Sequence, residues 1–248
     1  MSYKDREKAI LEYLMENKTA TISELCSVLF VSEPTMRRDL ATLNEKGRII
    51  RTYGGATYRS EPTENLPHSY REREHSGAKS IIGRKCLELI NDGDTIMVDA
   101  SSTAFALLQL LGEKKSVVVI TNNAKAPEAL TDTGVKTFVA GGELAPNTFA
   151  YVGAYAESFI RSFNADICFF SIRTLTENGL LTDNAIAENS IRKIMLSRSK
   201  KKVLMMDSKK VGAPCINTLC SIDDIDCIVS ERDLTPLCPA IGDKQILI

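Results

Sequence analysis

The chain has 248 residues, with 31 lysines and arginines against 32 aspartates and glutamates, a net charge of −1. It is 44% hydrophobic and 25% charged, the profile of an ordinary globular protein, and it holds no apolar run long enough to span a membrane. The charged N-terminal segment argues against a secretory signal. The balanced total charge, taken alone, argues against a nucleic-acid binder, whose footprint is usually basic.

Residues 1–58 read as three helices and a hairpin. Ile10, Leu11 and Leu14 put an apolar stripe on a first helix beginning near Lys4. Thr21-Ile22-Ser23-Glu24 has the form of a capping box, in which the threonine hydroxyl accepts from the Glu24 amide while the glutamate reaches back. It opens a short second helix ending near Leu29. Val31-Ser32 predicts a tight turn with Ser32 as N-cap, and Pro34 is tolerated in the first turn of a third helix running to about Lys46. That helix is expected to bury Met36, Leu40 and Leu43 and to present Thr35, Arg37, Arg38 and Thr42 on another face. Gly47 is its expected C-cap, and residues 49–51 and 56–58 are expected to pair as a small wing around Gly54-Gly55. Two short helices joined by a tight turn, the second exposing arginines and hydroxyls, are the layout of a helix-turn-helix DNA reader. Such a helix must offer side chains to base edges while its neighbours fix the register on phosphates. A solvated interaction module is the alternative reading of the same pattern.

Residues 59–76 read as a linker, overlapping a polar stretch from Glu61 to Lys79 that carries the only two histidines, His68 and His75. A mechanism built on a histidine base is therefore not expected. The seven cysteines (Cys26, Cys86, Cys168, Cys215, Cys220, Cys227 and Cys238) are odd in number, scattered, and without a CxxC pair. They read as thiols in a reducing cytosol, with no metal site expected.

Residues 77–248 alternate strand and helix. Strands are expected at 95–98, 117–120, 135–140, 167–171, 203–206 and 227–229, and helices at 103–111, from about 124, near 154–162 and near 187–197. Short β-branched runs separated by helices argue for a mostly parallel sheet covered on both faces, an α/β domain. Ligands in such sheets sit at the carboxyl ends of the strands. There the sequence places Asp99-Ala100-Ser101-Ser102-Thr103, a hydroxyl-rich turn at a helix start suited to an anion. Thr121-Asn122-Asn123, Gly141-Gly142-Glu143 and Asp207-Ser208-Lys209-Lys210 end three further strands.

The string Val31-Ser32-Glu33-Pro34-Thr35-Met36-Arg37-Arg38-Asp39-Leu40, followed by Leu43, Gly47, Ile49, Arg51 and Gly54-Gly55-Ala56, resembles the DeoR-type winged helix-turn-helix, with Arg6 and Ile10 matching its first helix. Tyr53 departs from the histidine most common before the Gly-Gly. The resemblance implies that Ser32, Thr35, Arg37, Arg38, Thr42 and Arg51 face DNA. Asp39 reads as the structural partner of an arginine, since a bare carboxylate near phosphate is repelled. The remaining chain resembles the family's effector domain through Asp99-x-Ser-Ser-Thr, Thr121-Asn122, Gly141-Gly142-Glu143, Val152-Gly153, Ala165-Asp166, Gly179-Leu180, Glu188 and Asp207-Ser208-x-Lys210. That domain is similar in fold to ribose-5-phosphate isomerase and the CoA transferases, and in the family it binds phosphorylated sugars or related intermediates. By resemblance, Ser101, Ser102 and Thr103 hold a phosphate with help from Lys210. Asp99, Thr121, Asn122, Gly141, Gly142, Arg173 and Glu188 are the further candidates around the effector, Asp99, Asn122, Arg173 and Glu188 for its hydroxyls. Arg192 stands where the family usually has lysine, and Lys209 where it usually has serine. Arginine is a stiff bidentate donor rather than a compact charge, so the effector or its pose is expected to differ from the commoner members.

The reading is a cytoplasmic DNA-binding regulator, a repressor of carbohydrate-metabolism genes released by a sugar phosphate, acting as a homodimer or homotetramer on double-stranded operator DNA, without cofactor or membrane. Two alternatives remain. One is an isomerase-like enzyme with an accessory N-terminal domain, for which Asp166, Asp183, Glu188 and Asp207 are the available carboxylates; against it, the isomerase's Lys-Gly-x-Gly segment is here Glu177-Asn178-Gly179-Leu180-Leu181-Thr182-Asp183. The other is a ligand-free interaction module. Split at residue 60, the N-terminal part has ten basic and eight acidic residues. The near-zero total therefore averages a mildly basic reader with a slightly acidic sensor, and affinity for DNA is expected to lean on oligomerisation and specific contacts.

Overall fold

The computed structural model describes residues 3–45, 48–58, 72, 75–145, 147–242 and 244–248. The chain divides into two compact units, residues 1–70 and 71–248.

In the first unit, α1 (Tyr3–Asn17), α2 (Ile22–Leu29) and α3 (Glu33–Glu45) bury the expected stripes: Ile10, Leu11 and Leu14, then Ile22 and Leu25, then Met36, Leu40 and Leu43. The capping box forms as read. Glu24 N donates to Thr21 Oγ1 at 3.2 Å and Thr21 N donates to Glu24 Oε2 at 2.7 Å. Ser32 opens α3, its carbonyl accepting from Met36 N at 3.0 Å. The expected end of that helix at Lys46 and its cap at Gly47 lie outside the described residues.

The wing has three strands, not two. β2 (Ile49–Thr52) and β3 (Gly55–Tyr58) pair as expected, and β1 (Thr19–Thr21) adds to the far side of β3, giving the antiparallel order β1-β3-β2. The turn falls at Tyr53-Gly54, and Gly55, expected in the turn, is paired within β3 opposite both Thr52 and Thr21. A Cβ at Gly55 would stand 2.1 Å from the Ala20 carbonyl oxygen, so glycine is what lets β1 approach.

The second unit is a seven-stranded, wholly parallel sheet in the order β15-β14-β12-β9-β4-β5-β6. Its strands are β4 (Thr95–Val98), β5 (Val118–Thr121), β6 (Lys136–Val139), β9 (Ala165–Phe170), β12 (Ser199–Met205), β14 (Cys227–Val229) and β15 (Gln245–Leu247). Side-chain alternation sorts each strand between two cores. Ile96, Val98, Val119 and Phe169 pack with α4 (Ser76–Glu88), α5 (Ser102–Leu108) and α6 (Ala126–Leu130) on one face. Met97, Ile120, Phe170 and Leu204 pack with α7 (Gly153–Arg161) and α8 (Ile186–Ser197) on the other. Because both faces are covered, these strands read as nearly continuous apolar runs.

Five elements depart from expectation, one of them β15, a seventh strand in the main sheet where six were read. Residues 76–79, read as the end of a polar stretch, open α4, which buries Ile82, Cys86 and Leu87. The helix after β4 ends at Leu108 rather than 111 and continues as a 3₁₀ turn at Leu111–Glu113. Two small antiparallel pieces were not foreseen: the hairpin β7 (Glu143–Ala145) with β8 (Ala150–Val152), and the sheet β10 (Thr174–Leu175), β11 (Leu180–Asp183), β13 (Asn217–Ser221).

Gly55→Ala should lower the stability of the N-terminal unit by about 1–3 kcal/mol, because the added methyl meets backbone. Gly54→Ala, which meets nothing within 4 Å, should stay within about 0.5 kcal/mol of the parent. Urea unfolding followed by circular dichroism checks both.

Candidate functional site

The candidate DNA-reading surface is the exposed side of α3 with the wing. Asp39, on the opposite side of that helix, is 1% exposed and takes Arg6 Nε at 2.6 Å and Nη2 at 3.2 Å. The pair ties α1 to α3, and the carboxylate's hydrogen bond holds the Arg6 guanidinium above the ordinary arginine range. Asp39 is thus an arginine's partner, as read, and the arginine is Arg6. Of the candidates, Ser32 and Thr35 share a hydroxyl–hydroxyl bond of 3.0 Å. Thr42 is half-buried and donates back to the Arg38 carbonyl at 3.1 Å. Arg37 is exposed but engaged by Glu33 one turn earlier, at 2.9 Å from Nε and 2.5 Å from Nη2. Arg38 and Arg51 are exposed, and among the described residues neither guanidinium has a partner. Tyr53 at the wing tip is fully exposed.

In the sensor unit the chain runs β4, β5, β6 outward to one edge and then returns to β9, β12, β14 and β15 on the other side. The order reverses between β4 and β9, and the crevice beyond the carboxyl ends of such a pair is where open α/β sheets bind ligands. Asp99 follows β4 and Ser171 follows β9, so both stand at the reversal. Asp99 is buried. Its Oδ1 accepts from Ser101 N at 3.1 Å, and its Oδ2 accepts from Ser171 N at 3.3 Å and from Arg192 Nε at 2.8 Å.

Arg192, 4% exposed on α8, is the centre of this region. Besides Asp99, it donates through Nη1 to Asp183 Oδ2 and Asn189 Oδ1, each at 2.9 Å, and through Nη2 to Glu188 Oε2 at 3.2 Å. Burial works against its charge, but Asp183, Asp99 and Glu188 outweigh that cost and raise its pKa. The guanidinium is a permanent cation beneath three carboxylates.

Lys210 supplies a second cation, half-buried at 21% exposure. Its Nζ donates to Ser171 Oγ at 2.8 Å and to Thr103 Oγ1 at 3.4 Å, and lies 3.9 Å from Asp207 Oδ2. Burial pushes the ammonium below the ordinary lysine range; Asp207, Asp99 and Asp183 oppose the shift, and the neighbouring Arg173 charge adds to it. The structure therefore gathers Asp99, Ser101, Thr103, Arg173, Glu188 and Lys210 of the candidate residues into one electrostatic neighbourhood.

The hydroxyls divide by what they already do. Ser101 is the N-cap of α5, accepting from Ala104 N at 3.1 Å. Thr121 Oγ1 donates to the Val98 carbonyl at 2.6 Å and accepts from Asn123 N at 3.0 Å. Ser102 makes no side-chain hydrogen bond among the described residues. Asn122 Nδ2 donates to the Tyr151 carbonyl at 3.0 Å, which fixes the amide's orientation; its buried Oδ1 has no donor among the described residues. Gly141 and Gly142 lie exposed beyond β6, and a Cβ at Gly142, φ +139°, would meet the Val152 carbonyl at 2.8 Å. Two contributors were not singled out from sequence as site residues: Ser171, which anchors Lys210, and Asn189. All seven cysteines are free, and no described group of histidine, cysteine and carboxylate side chains could hold a metal. No described helix is long and apolar enough to cross a membrane.

A winged helix-turn-helix joined in one chain to an α/β unit with a charged crevice at its strand reversal defines a DNA-binding protein with a sensor domain. Comparison with known proteins agrees. The profile of the DeoR-like helix-turn-helix domain matches residues 6–61, and that of the DeoR C terminal sensor domain matches residues 74–232. The chain belongs to the DeoR family of helix-turn-helix transcriptional regulators. It is similar to the HTH-type transcriptional regulator IolR of Bacillus subtilis, 30% identical over 90% of this chain and 89% of that one. It is also similar to the HTH-type transcriptional regulator GolR of Listeria innocua, 29% identical over 93% and 91%. Among solved structures it is weakly similar to a D-ribose-5-phosphate isomerase in complex with phospho-erythronic acid, with a TM-score of 0.42, 16% identity, and coverage of 55% of this chain and 54% of that one.

Arg38→Ala should weaken operator binding at least tenfold in a mobility-shift titration, and more than Arg37→Ala, whose arginine must first leave Glu33. Equal, unchanged affinities for the two folded variants would remove α3 from the DNA surface. Arg192→Met should destabilise the sensor unit by about 3–5 kcal/mol, since it leaves buried carboxylates without their cation. Arg192→Lys should recover only part of this in thermal unfolding, because one ammonium cannot reproduce the guanidinium's fork.

Proposed function

We propose that this regulator represses genes of carbohydrate metabolism and that a phosphorylated sugar, bound at the strand reversal of the sensor unit, controls its hold on operator DNA. The observation that carries the reading is Lys210. A half-buried ammonium is held by Ser171 and Thr103 beside the unbonded hydroxyl of Ser102, with Arg173 close by. Such a group is stabilised by an anion, and a phosphate is the anion whose size and charge suit it. The orphaned Asn122 Oδ1 adds a second argument: a buried acceptor without a donor is costly, and a sugar hydroxyl would supply one.

Asp99, Asp183 and Glu188 are engaged by Arg192, so their part is to hold the crevice in shape and to bound the sugar. An aldose–ketose isomerase requires a carboxylate free to carry a proton between adjacent carbons, and these three are committed to a permanent cation. The chemistry fits binding rather than turnover. Control of DNA affinity then requires the effector to bind one arrangement of the protein more tightly than the other. One recognition helix with two exposed arginines offers few contacts, which favours a homodimer or homotetramer meeting symmetric half-sites.

A thermal-shift screen of pentose and hexose phosphates tests the proposal. A sugar phosphate should raise the melting temperature, and Ser102→Asp should abolish the rise by repelling the anion. Retention of the shift in that variant would remove the 101–103 turn from the site. Because burial lowers the Lys210 pKa, phosphate affinity should fall on the alkaline side at a lower pH than an ordinary lysine, near 10.4, would set. Lys210→Arg should move that fall upward.

A further inference from the structure

One buried charged contact in the sensor unit involves neither Arg192 nor Lys210. Lys125 donates through Nζ to both carboxylate oxygens of Glu72, at 2.8 and 2.9 Å, and each side chain is about four-fifths buried. The ammonium also sits over two aromatic rings, 4.9 Å from the centroid of Phe105 and 5.8 Å from that of Phe149. A cation held between π faces and a carboxylate is fixed in position far more firmly than an exposed ion pair.

The surroundings of that lysine lead to the effector site. Phe105 lies on α5, in the turn begun by Ser101, whose carbonyl accepts from Phe105 N at 2.9 Å. Lys125 ends the run that starts at Thr121 and includes Asn122 with its orphaned oxygen. Phe149 faces the same run: its carbonyl accepts from Ala124 N at 2.8 Å, with its own backbone at φ +54°, a left-handed conformation unusual for a bulky residue. The 101–103 turn and the run that holds Asn122 are thus each joined through backbone hydrogen bonds to one of the two rings that flank Lys125. Glu72, at the other end, follows the thirteen residues 59–71 that join the sensor unit to the wing.

We propose that the Glu72–Lys125 pair, seated between Phe105 and Phe149, is a latch that ties the end of the interdomain linker to the rim of the effector site and passes ligand occupancy to the linker. The coupling rests on the proposed phosphate site; the latch itself does not. Lys125 and Glu72 act by positioning and touch no ligand.

The test uses the full chain, with Lys125→Met, Glu72→Gln and the double variant, and reads trypsin cleavage at Arg71 and Arg73, which flank Glu72. Without ligand, each single variant should be cut at least threefold faster than the parent. The double variant should fall short of the product of the two single accelerations, because either substitution alone already breaks the shared contact. Equal rates in all four proteins overturn the latch. Inorganic phosphate, at concentrations that shift the melting temperature, should then change the parent's cleavage rate at least twofold and leave the variants' rates unaltered, while the thermal shift is the same in all four. A thermal shift without any change in the parent's cleavage overturns the coupling. Absence of a thermal shift in the parent, across inorganic phosphate and the sugar phosphates, overturns the site reading and the coupling with it, and the ligand-free rates then judge the latch alone.

Discussion

The sensor unit depends on the charge of Arg192. Three carboxylates, from the loop after β4, the end of β11 and the first turn of α8, converge within hydrogen-bonding distance of one guanidinium. Without that cation their mutual repulsion and burial would open the floor of the crevice. With it, Asp99 is held where one oxygen orders the Ser101 amide and the other ties β4's end to Ser171 on β9. Ser171 in turn receives Lys210. The geometry is thus handed from Arg192 through Asp99 and Ser171 to Lys210, and the two cations have different work: one holds three carboxylates together, the other is the cation of the proposed anion site.

The N-terminal unit uses the same device on a smaller scale. Asp39 lies on the buried side of α3 and would be an uncompensated charge there; Arg6 from α1 neutralises it with two hydrogen bonds. The pair sets the rotation of α3, and hence which side chains face outward. Arg38 points to solvent partly because Asp39 next to it is held inward.

Local signals were legible in the sequence and long-range ones were not. The capping box at Thr21, the buried stripe of α3 and the polar ends of the parallel strands each follow from residues a few positions apart, and each is where it was expected. Asp39 was legible as an arginine's partner because a carboxylate is out of place beside phosphate. Arg192 was visible only as a departure from the usual lysine: Glu188 is one turn earlier on its own helix, but Asp183 and Asp99 reach it through the fold, Asp99 from 93 positions away. Ser171 was missed for the same reason, its partners Asp99, Met205 and Lys210 lying 34 or more positions away. β1 and β10 went unseen because three-residue and two-residue strands carry no periodicity. α4 went unseen because Ser76-Gly77 reads as loop, although Ile82 and Cys86 already had helical spacing.

The third strand of the wing has a mechanical effect. β1 pairs with β3 along its whole length, Tyr58 N donates to the Lys18 carbonyl at 2.6 Å, and Ile22 N, at the first residue of α2, donates to the Gly54 carbonyl at 2.9 Å. The hairpin is thereby stitched to the segment between α1 and α2 at both ends, and the wing tip cannot swing without disturbing the start of the helix-turn-helix. On the proposed reading surface, α3 and Tyr53 are thereby held at a separation that the protein sets. The burden of adjustment falls on the DNA, whose groove width and bend must bring the second contact within reach once the first is made.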